Sequence, residues 1–522
     1  MIIKLKKGEI VFRNPEIFAV DTKMVNLDRV LINLYMLIYS EGAPITLPVI
    51  KKGGHSIDSL KGYVNTLEAN GLIYGASDNQ DAVEDWLRSN LLELVYRGNV
   101  VKEKVSSLKP MHLMSFLVQN RKFCRDYNTA DQLYLMLKSC PEVLSNPGGL
   151  RDYLCKGWDR FTNDIVRQED FDVDTAGILY LTKGLKEKKN FNTEIKDYKP
   201  FLEKQSALFN DDIRRLLVYQ KKLPRTVFID YFKILCGFHL ALYTMKLVYL
   251  LPKMVEAGSK DVVDDWSIIV DLTDDLDSPV APYACKDAEY LANKYRNYIR
   301  SSFVVNLCQN RLRAKGQPAS VVDALAYAKN TLQKDDPYYE FALQSIRNGL
   351  EDDDTRKEFD DLLQYFDQDD FFGRYVHLLE KSNLGSTQYR YLREFLDAVS
   401  MKNSPSMLLA DSRSKRHPRR AVIGSKLLET LVQILVLQKE EGADKYTTRS
   451  LSIDELARLI RDRYGLIING ISEPRFADAD VMLHNAFKVN TDAFKDKLRQ
   501  IGFYTDLSDA CILQKIRPRY KI

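Results

Sequence analysis

Residues 227–251 read VFIDYFKILCGFHLALYTMKLVYLL, and where this stretch is placed decides the fold. It is long and apolar enough to cross a bilayer. Asp230, Lys233, His239 and Lys246 interrupt it, however. A charge at a bilayer centre costs ~2.5 to 3.5 kcal/mol on insertion scales, so a helix buried in a protein core is the better reading. That makes the stretch the centre of a helical middle region and predicts no membrane association.

The surrounding chain has the composition of a globular protein. Its 522 residues exceed what one core organises, and at ~100 to 200 residues per domain three or four units are expected. Apolar residues at 45% and charged residues at 28% exclude wholesale disorder. Cysteines stand at 124, 140, 155, 236, 285, 308 and 511, an odd number without a C-x-x-C pair, which fits neither a disulfide framework nor a zinc site. The opening MIIKLKKGEIVF has no apolar run long enough for a signal peptide. A reducing cytoplasm is the expected location.

Outward from the centre, helical periodicity dominates. Residues 26–40, NLDRVLINLYMLIYS, place Leu27, Val30, Leu31, Leu34, Leu37 and Ile38 on one face before Gly42 and Pro44 stop the helix. Residues 56–73, SIDSLKGYVNTLEANGLI, align Ile57, Leu60, Tyr63, Val64 and Leu67 and end on Asn70 and Gly71. With a strand pair expected in the first twenty residues, this rhythm predicts a winged-helix-like unit over 1–100. Residues 101–410 read as amphipathic helices with no fixed repeat, apart from a strand at 268–272 inside WSIIVDLTDDLDSP (266–279).

The sharpest boundary is DSRSKRHPRR, residues 411–420, after which 411–522 form the third region. An apolar helix over 423–441 is followed by SLSIDELARLIRDRYG (450–465), where Ser452 and Glu455 have capping-box spacing and Gly465 ends the helix. A third helix over 491–501 turns Phe494, Leu498 and Ile501 inward. Phe503 to Thr505 and Cys511 to Ile516 are then expected to pair around the turn at 506–509. Three helices and a hairpin predict a C-terminal winged helix. The fold class is therefore mainly α, a multi-domain helical protein with winged-helix-like modules at both ends.

Net charge is +4, and it is unevenly spread. From residue 411 onward 21 Lys and Arg face 15 Asp and Glu, whereas the first 410 residues hold 55 against 57. If the third helix enters a major groove, Lys495, Lys497 and Arg499 face DNA, with Lys515, Arg517, Arg519 and Lys521 along the wing. Arg413, Lys415, Arg416, Arg419 and Arg420 form a second cluster able to neutralise phosphates. Double-stranded DNA is thus the expected ligand, although winged helices also serve protein contacts and lysines coat many solvated faces.

The competing enzymatic reading rests on Asp271, Asp274, Asp275 and Asp277, because carboxylates at a strand end hold divalent metal in phosphoryl-transfer enzymes. Such a nuclease or nucleotidyl-transfer site wants a spaced Glu and Lys on an adjoining strand, and EYLANKYR (289–296) reads as helix instead. The acidic runs at 351–354 and 367–370 are read as solvated loops or helix starts, and His112, His239 and His377 as packed or surface residues. Phosphate-loop, dinucleotide and serine-hydrolase motifs do not occur. No catalytic residue, metal or cofactor is assigned.

The ending LRQIGFYTDLSDACILQKIRPRY (498–520) and the stretch NLDRVLINLYMLIYSEG (26–42) resemble proteins of bacterial defence islands, in particular accessory components of the methylation-associated anti-phage defence system. This implies a bacterial protein working beside restriction and modification enzymes, and it transfers no active-site residue. The architecture, a winged-helix-like unit at each end of a helical middle, also resembles the kleisin subunits of chromosome-organising complexes. Both resemblances imply other protein subunits as partners. The expected role is a non-catalytic DNA-binding or scaffolding subunit of an antiviral defence complex. The alternatives are the metal-dependent enzyme at Asp271 and Asp274 and a kleisin-like bridge that binds protein alone.

Overall fold

Asn26 begins the first helix by accepting hydrogen bonds from the backbone N–H groups of Asp28 and Arg29. The helix, α1 (Leu27–Ser40), buries all six residues of its expected face and ends on Glu41 in the left-handed region. These are the coordinates of a computed structural model, which describes residues 11–522 apart from 44, 48–55, 72, 97–102, 160, 163, 167–170, 184, 186–187, 190–197, 331–335, 351, 403, 405, 411–417, 441–444 and 505–514. Strand β1 (Ile45–Thr46) follows, then α2 (Ile57–Ala69), whose start is closed by a reciprocal Ser56–Ser59 capping box, and α3 (Gln80–Trp86). A wide turn over Leu87–Leu91 leads into the antiparallel hairpin β2 (Leu92–Val95) and β3 (Lys104–Leu108). The order helix, strand, two helices, hairpin is that of a winged helix, but β1 pairs with Lys188–Lys189 rather than with the hairpin. Of the strand pair expected in the first twenty residues, 1–10 lie outside the described residues, and Asn14 and Phe18 form a single bridge.

The middle region is overwhelmingly helical. It runs through α4 (Thr129–Lys138), α5 (Pro141–Leu144) and α6 (Leu150–Leu154) to a two-residue pairing of β4 (Trp158–Asp159) with β5 (Asp164–Ile165). Next come α7 (Val173–Thr182), capped by Asp172, the short β6 (Lys188–Lys189) and α8 (Glu203–Val218). These strands, which periodicity did not predict, are too short for a period-2 pattern to register. Then α9 (Arg225–Ala257) runs 33 residues and buries 21 of them. Its charged residues are absorbed by the fold: Lys233 pairs with Asp28 at 3.1 Å, Lys246 with Asp264 at 3.0 Å, and His239 is buried against Asp212. The helix that could have crossed a membrane is thus the axis of the core.

After β7 (Ile268–Asp271), α10 (Ala281–Ala314) packs along α9, followed by α11 (Val321–Lys329), α12 (Pro337–Asn348), α13 (Asp353–Tyr365), α14 (Phe371–Lys381) and α15 (Asn383–Val399). The two acidic runs supply helix starts. Asp352 accepts the N–H of Thr355 and Asp370 that of Gly373, which places negative charge where the helix dipole favours it.

The last region opens with β8 (Ala421–Val422) and α16 (Ser425–Leu435), then an unanticipated hairpin of β9 (Leu437–Lys439) and β10 (Tyr446–Thr448). Strand β11 (Leu451–Ser452) leads into α17 (Ile453–Tyr464), with the expected Ser452–Glu455 capping box and Gly465 at φ 72. After β12 (Leu466–Ile467), α18 (Val481–Gln500) starts ten residues earlier than the spacing predicted. Asp480 caps it, and Leu483, Ala486 and Phe487 carry its apolar face forward into a small separate core. Finally β13 (Lys515–Ile516) pairs antiparallel with β11, and the N–H of Arg517 donates to the carbonyl of Phe503 at 2.9 Å. The rest of the expected terminal hairpin, 505–514, lies outside the described residues.

One sheet ties the two last regions together. In the order β12–β7–β8 all strands are parallel, with Leu466 opposite Ile268 and Val270 opposite Ala421. A strand from the middle of the chain is therefore flanked on both sides by residues from beyond 411.

Candidate nucleic-acid interface

Asp271 ends the central strand of that sheet, fully buried. Its Oδ2 receives the Arg420 guanidinium at 2.5 Å, and its Oδ1 accepts hydrogen bonds from the backbone N–H and the hydroxyl of Thr273 at 2.9 and 2.7 Å. The neighbouring pairing of Val270 with Ala421 explains the meeting, because it brings the start of β8 alongside the end of β7. Asp274, held in the left-handed region at φ 57, pairs with Lys497 at 2.9 Å, and Lys497 also donates to the carbonyl of Ile423 at 3.2 Å. Asp275 accepts the N–H of Asp277 in a local turn. Two carboxylates of the strand-end cluster thus each hold a protein cation. Among the described residues no group of three or more His, Cys, Asp or Glu is arranged to hold a metal ion.

The basic residues singled out in the sequence divide into three groups. Arg413, Lys415 and Arg416 lie outside the described residues. Arg420 and Lys497 are each only 5% exposed and are bound into the ion pairs just described, while Arg419 pairs with Asp397 of α15. The third group lies at the surface. Lys495 and Arg499, one helical turn apart on α18, pair locally with Asp492 and Asp496, and the Arg499 guanidinium also lies over the Tyr504 ring at 5.6 Å. Lys515, Arg517 and Lys521 are exposed on and after β13. Arg519 lies over the Phe503 ring at 4.4 Å and reaches Glu429 at 2.5 Å and the carbonyl of Ile501, so it fastens the tail to α16 and α18.

The inward position of Lys497 has a signal in the sequence. It stands three residues after Phe494 and one before Leu498, on the buried face of α18, while Lys495 and Arg499 fall on the opposite face. Arg420 had no such signal, since its partner lies 149 positions away.

A second polar cluster escaped sequence reasoning. His239 on α9, Asp212 on α8 and Tyr464 on α17 are all fully buried. Asp212 Oδ2 accepts from His239 Nε2 at 2.9 Å and from the Tyr464 hydroxyl at 2.8 Å, while Arg463 bridges Asp212 and Asp211. Gln205 closes the network on His239 Nδ1 at 3.0 Å. Burial, reinforced by the Asp212 charge, pushes the Tyr464 hydroxyl well above its ordinary range. For Arg463 burial acts to lower the pKa, but Asp212 and Asp211 overcome it, so the guanidinium stays charged. These bonds pin the C-terminal region to the two helices at the heart of the middle region.

Such a chain is a mainly α-helical protein of several units, cross-braced by buried ion pairs and exposing cations at its C-terminal end. It belongs to the family of methylation-associated defense system protein MAD7, whose family model matches residues 7–520. Comparison with curated proteins gave no match. Membership of this family makes the chain a component of a defence system, in agreement with the resemblance carried by residues 26–42 and 498–520.

Proposed function

We propose that this protein is a non-catalytic subunit of its defence complex, acting in the cytoplasm and contacting duplex DNA through the C-terminal face that carries Lys495, Arg499, Lys515, Arg517 and Lys521. The observation that carries this reading is the division of labour among the cations. Arg420 and Lys497 are consumed by Asp271 and Asp274, whereas Lys495, Arg499, Lys515, Arg517 and Lys521 stand at the surface on α18 and on and after β13. A helix and an adjoining strand bearing cations meet the phosphate backbone as a winged helix does. The engagement of Asp271 by Arg420 weighs against the metal-dependent alternative, because a metal there has to displace a buried counter-ion.

The test is duplex binding from low to physiological salt for the intact protein and for a variant with Lys495, Arg499, Lys515 and Arg517 changed to Ala. Each phosphate contact contributes a salt slope of about −0.9, so the variant is expected to bind more weakly with a slope flatter by about 2 to 4. Unchanged affinity and slope would leave the surface as a protein-contact face and sink the DNA reading. Sequence preference is expected to stay the same, since backbone contacts position without specifying.

A further inference from the structure

We infer that the N-terminal unit carries a docking cleft for a basic amphipathic helix of a partner protein. The cleft has a volume of about 320 Å³ and lies between α2 and α7, with Leu67, Trp86, Ile165, Phe171, Val173 and Leu179 among its walls. Its wall is built rather than incidental. Asp174 accepts a hydrogen bond from Trp86 Nε1 at 2.8 Å and fixes the indole. Gly177 lets the ring lie directly on α7, since a Cβ there would stand 2.6 Å from a Trp86 ring carbon.

Two further observations point to what fills it. The first is apolar exposure at the mouth: Val173 is 74% exposed and Tyr74 beside lining residue Ile73 is 89% exposed. Large apolar side chains grouped around an apolar cleft mark a protein-contact site. The second is charge. Glu68, Asp85, Asp164, Asp172 and Asp174 stand directly beside lining residues in sequence, and the described residues of 56–91 and 158–183 hold 10 Asp and Glu against 3 Lys and Arg. The cations described there are already engaged, Lys61 and Arg88 by Glu84 and Lys183 by Asp164. An apolar slot in an acidic rim is complementary to a helix with one apolar and one basic face, the helix-in-groove mode of recognition.

The probe is a fluorescein-labelled 18-residue peptide with Leu on one helical face and Lys on the other, titrated into the full chain by anisotropy with Trp emission recorded in parallel. Two control peptides replace Lys by Glu or scatter the Leu positions at constant composition. The Leu/Lys peptide is expected to bind at least ~10-fold more tightly than either control. Ala176→Trp, which fills the cleft, and Val173→Lys, which opposes the peptide charge from an exposed position, are each expected to weaken it at least ~10-fold. Val322→Asp, at an exposed apolar position on α11, is expected to leave binding unchanged. Equal binding of the three peptides overturns the inference, and so does wild-type affinity in Val173→Lys, whose exposed side chain does not bear on folding. The assay contains no nucleic acid, so its failure leaves the C-terminal DNA reading where it stands.

Discussion

Replacing Arg420 by Ala strands a charge that the fold has sealed away. The guanidinium side chain is 7% exposed and the Asp271 carboxylate 0%, so water cannot take over when the partner is removed. Thr273 still gives two hydrogen bonds to Oδ1, but among the described residues no second cation pairs with Asp271. Truncating one member of a buried pair costs roughly 3 to 5 kcal/mol, mostly as the penalty of the orphaned charge. The same truncation at the surface is a scale for comparison: Arg347 and Asp360 pair bidentately at 2.6 and 2.7 Å, each nearly half exposed, and Arg347→Ala is expected to cost about 1 kcal/mol or less. The double variant Asp271→Asn with Arg420→Ala removes both charges and is expected to recover ~1 to 2 kcal/mol relative to Arg420→Ala alone. Urea unfolding followed by tryptophan emission reads all four proteins, with Trp266 two residues ahead of β7 as a nearby reporter. If Arg420→Ala costs no more than Arg347→Ala, or if the double variant is no more stable than Arg420→Ala alone, the pair is not the buried brace described above.

Asp336 supplies a pH-dependent contribution. Burial acts to raise its carboxyl, but the Arg311 guanidinium, the Tyr338 N–H and Lys315 hold it at about 2. A depressed carboxylate stabilises above its unfolded value near 4 and loses that contribution as pH falls towards 2. Asp336→Asn is therefore expected to lower stability by roughly 2 kcal/mol at pH 7 and by almost nothing at pH 2, measured by unfolding midpoints across that range. At Gly465, φ is 72 and an added Cβ would stand 2.7 Å from the Trp266 carbonyl, so Gly465→Ala is expected to cost about 1 to 3 kcal/mol in urea unfolding. Wild-type stability in that variant contradicts the close approach of α17 to β7.

Local chemistry was legible in the sequence wherever a short-range rule decides. The Ser452–Glu455 capping box, the left-handed Gly465, the inward faces of α1 and α2 and the acidic helix starts all follow from residues within one or two turns of each other. The burial of α9 followed from its four polar interruptions, each of which finds a place the fold provides. What stayed hidden depends on distant meetings. No local pattern announces that Arg420 reaches Asp271, that Tyr464 and His239 share Asp212, or that β1 pairs with β6. The spacing starts α18 late because residues 474–480 contain Pro474 and three polar or acidic positions that look like loop, and a short 3-10 turn at Pro474–Phe476 does precede the Asp480 cap. Even the exposed cations were only half readable: their helical spacing separates Lys495 and Arg499 from Lys497, but not from a face used by protein.

The parallel sheet also sets a timetable for synthesis. Strand β7 lies between partners that emerge roughly 150 to 200 residues later, as the pairings of Val270 with Ala421 and of Ile268 with Leu466 require. At about 5 to 20 residues per second the ribosome takes on the order of 8 to 40 s to deliver them. Until they arrive Ile268, Ile269 and Val270 are an apolar stretch without its sheet partners, the kind of segment prone to pairing with other chains. Asp271 stands at its end without its arginine until residue 420 has been made. An unpaired carboxylate flanking an apolar strand discourages such recruitment, so the residue that later becomes the anchor of the sheet first serves as its gatekeeper on the nascent chain.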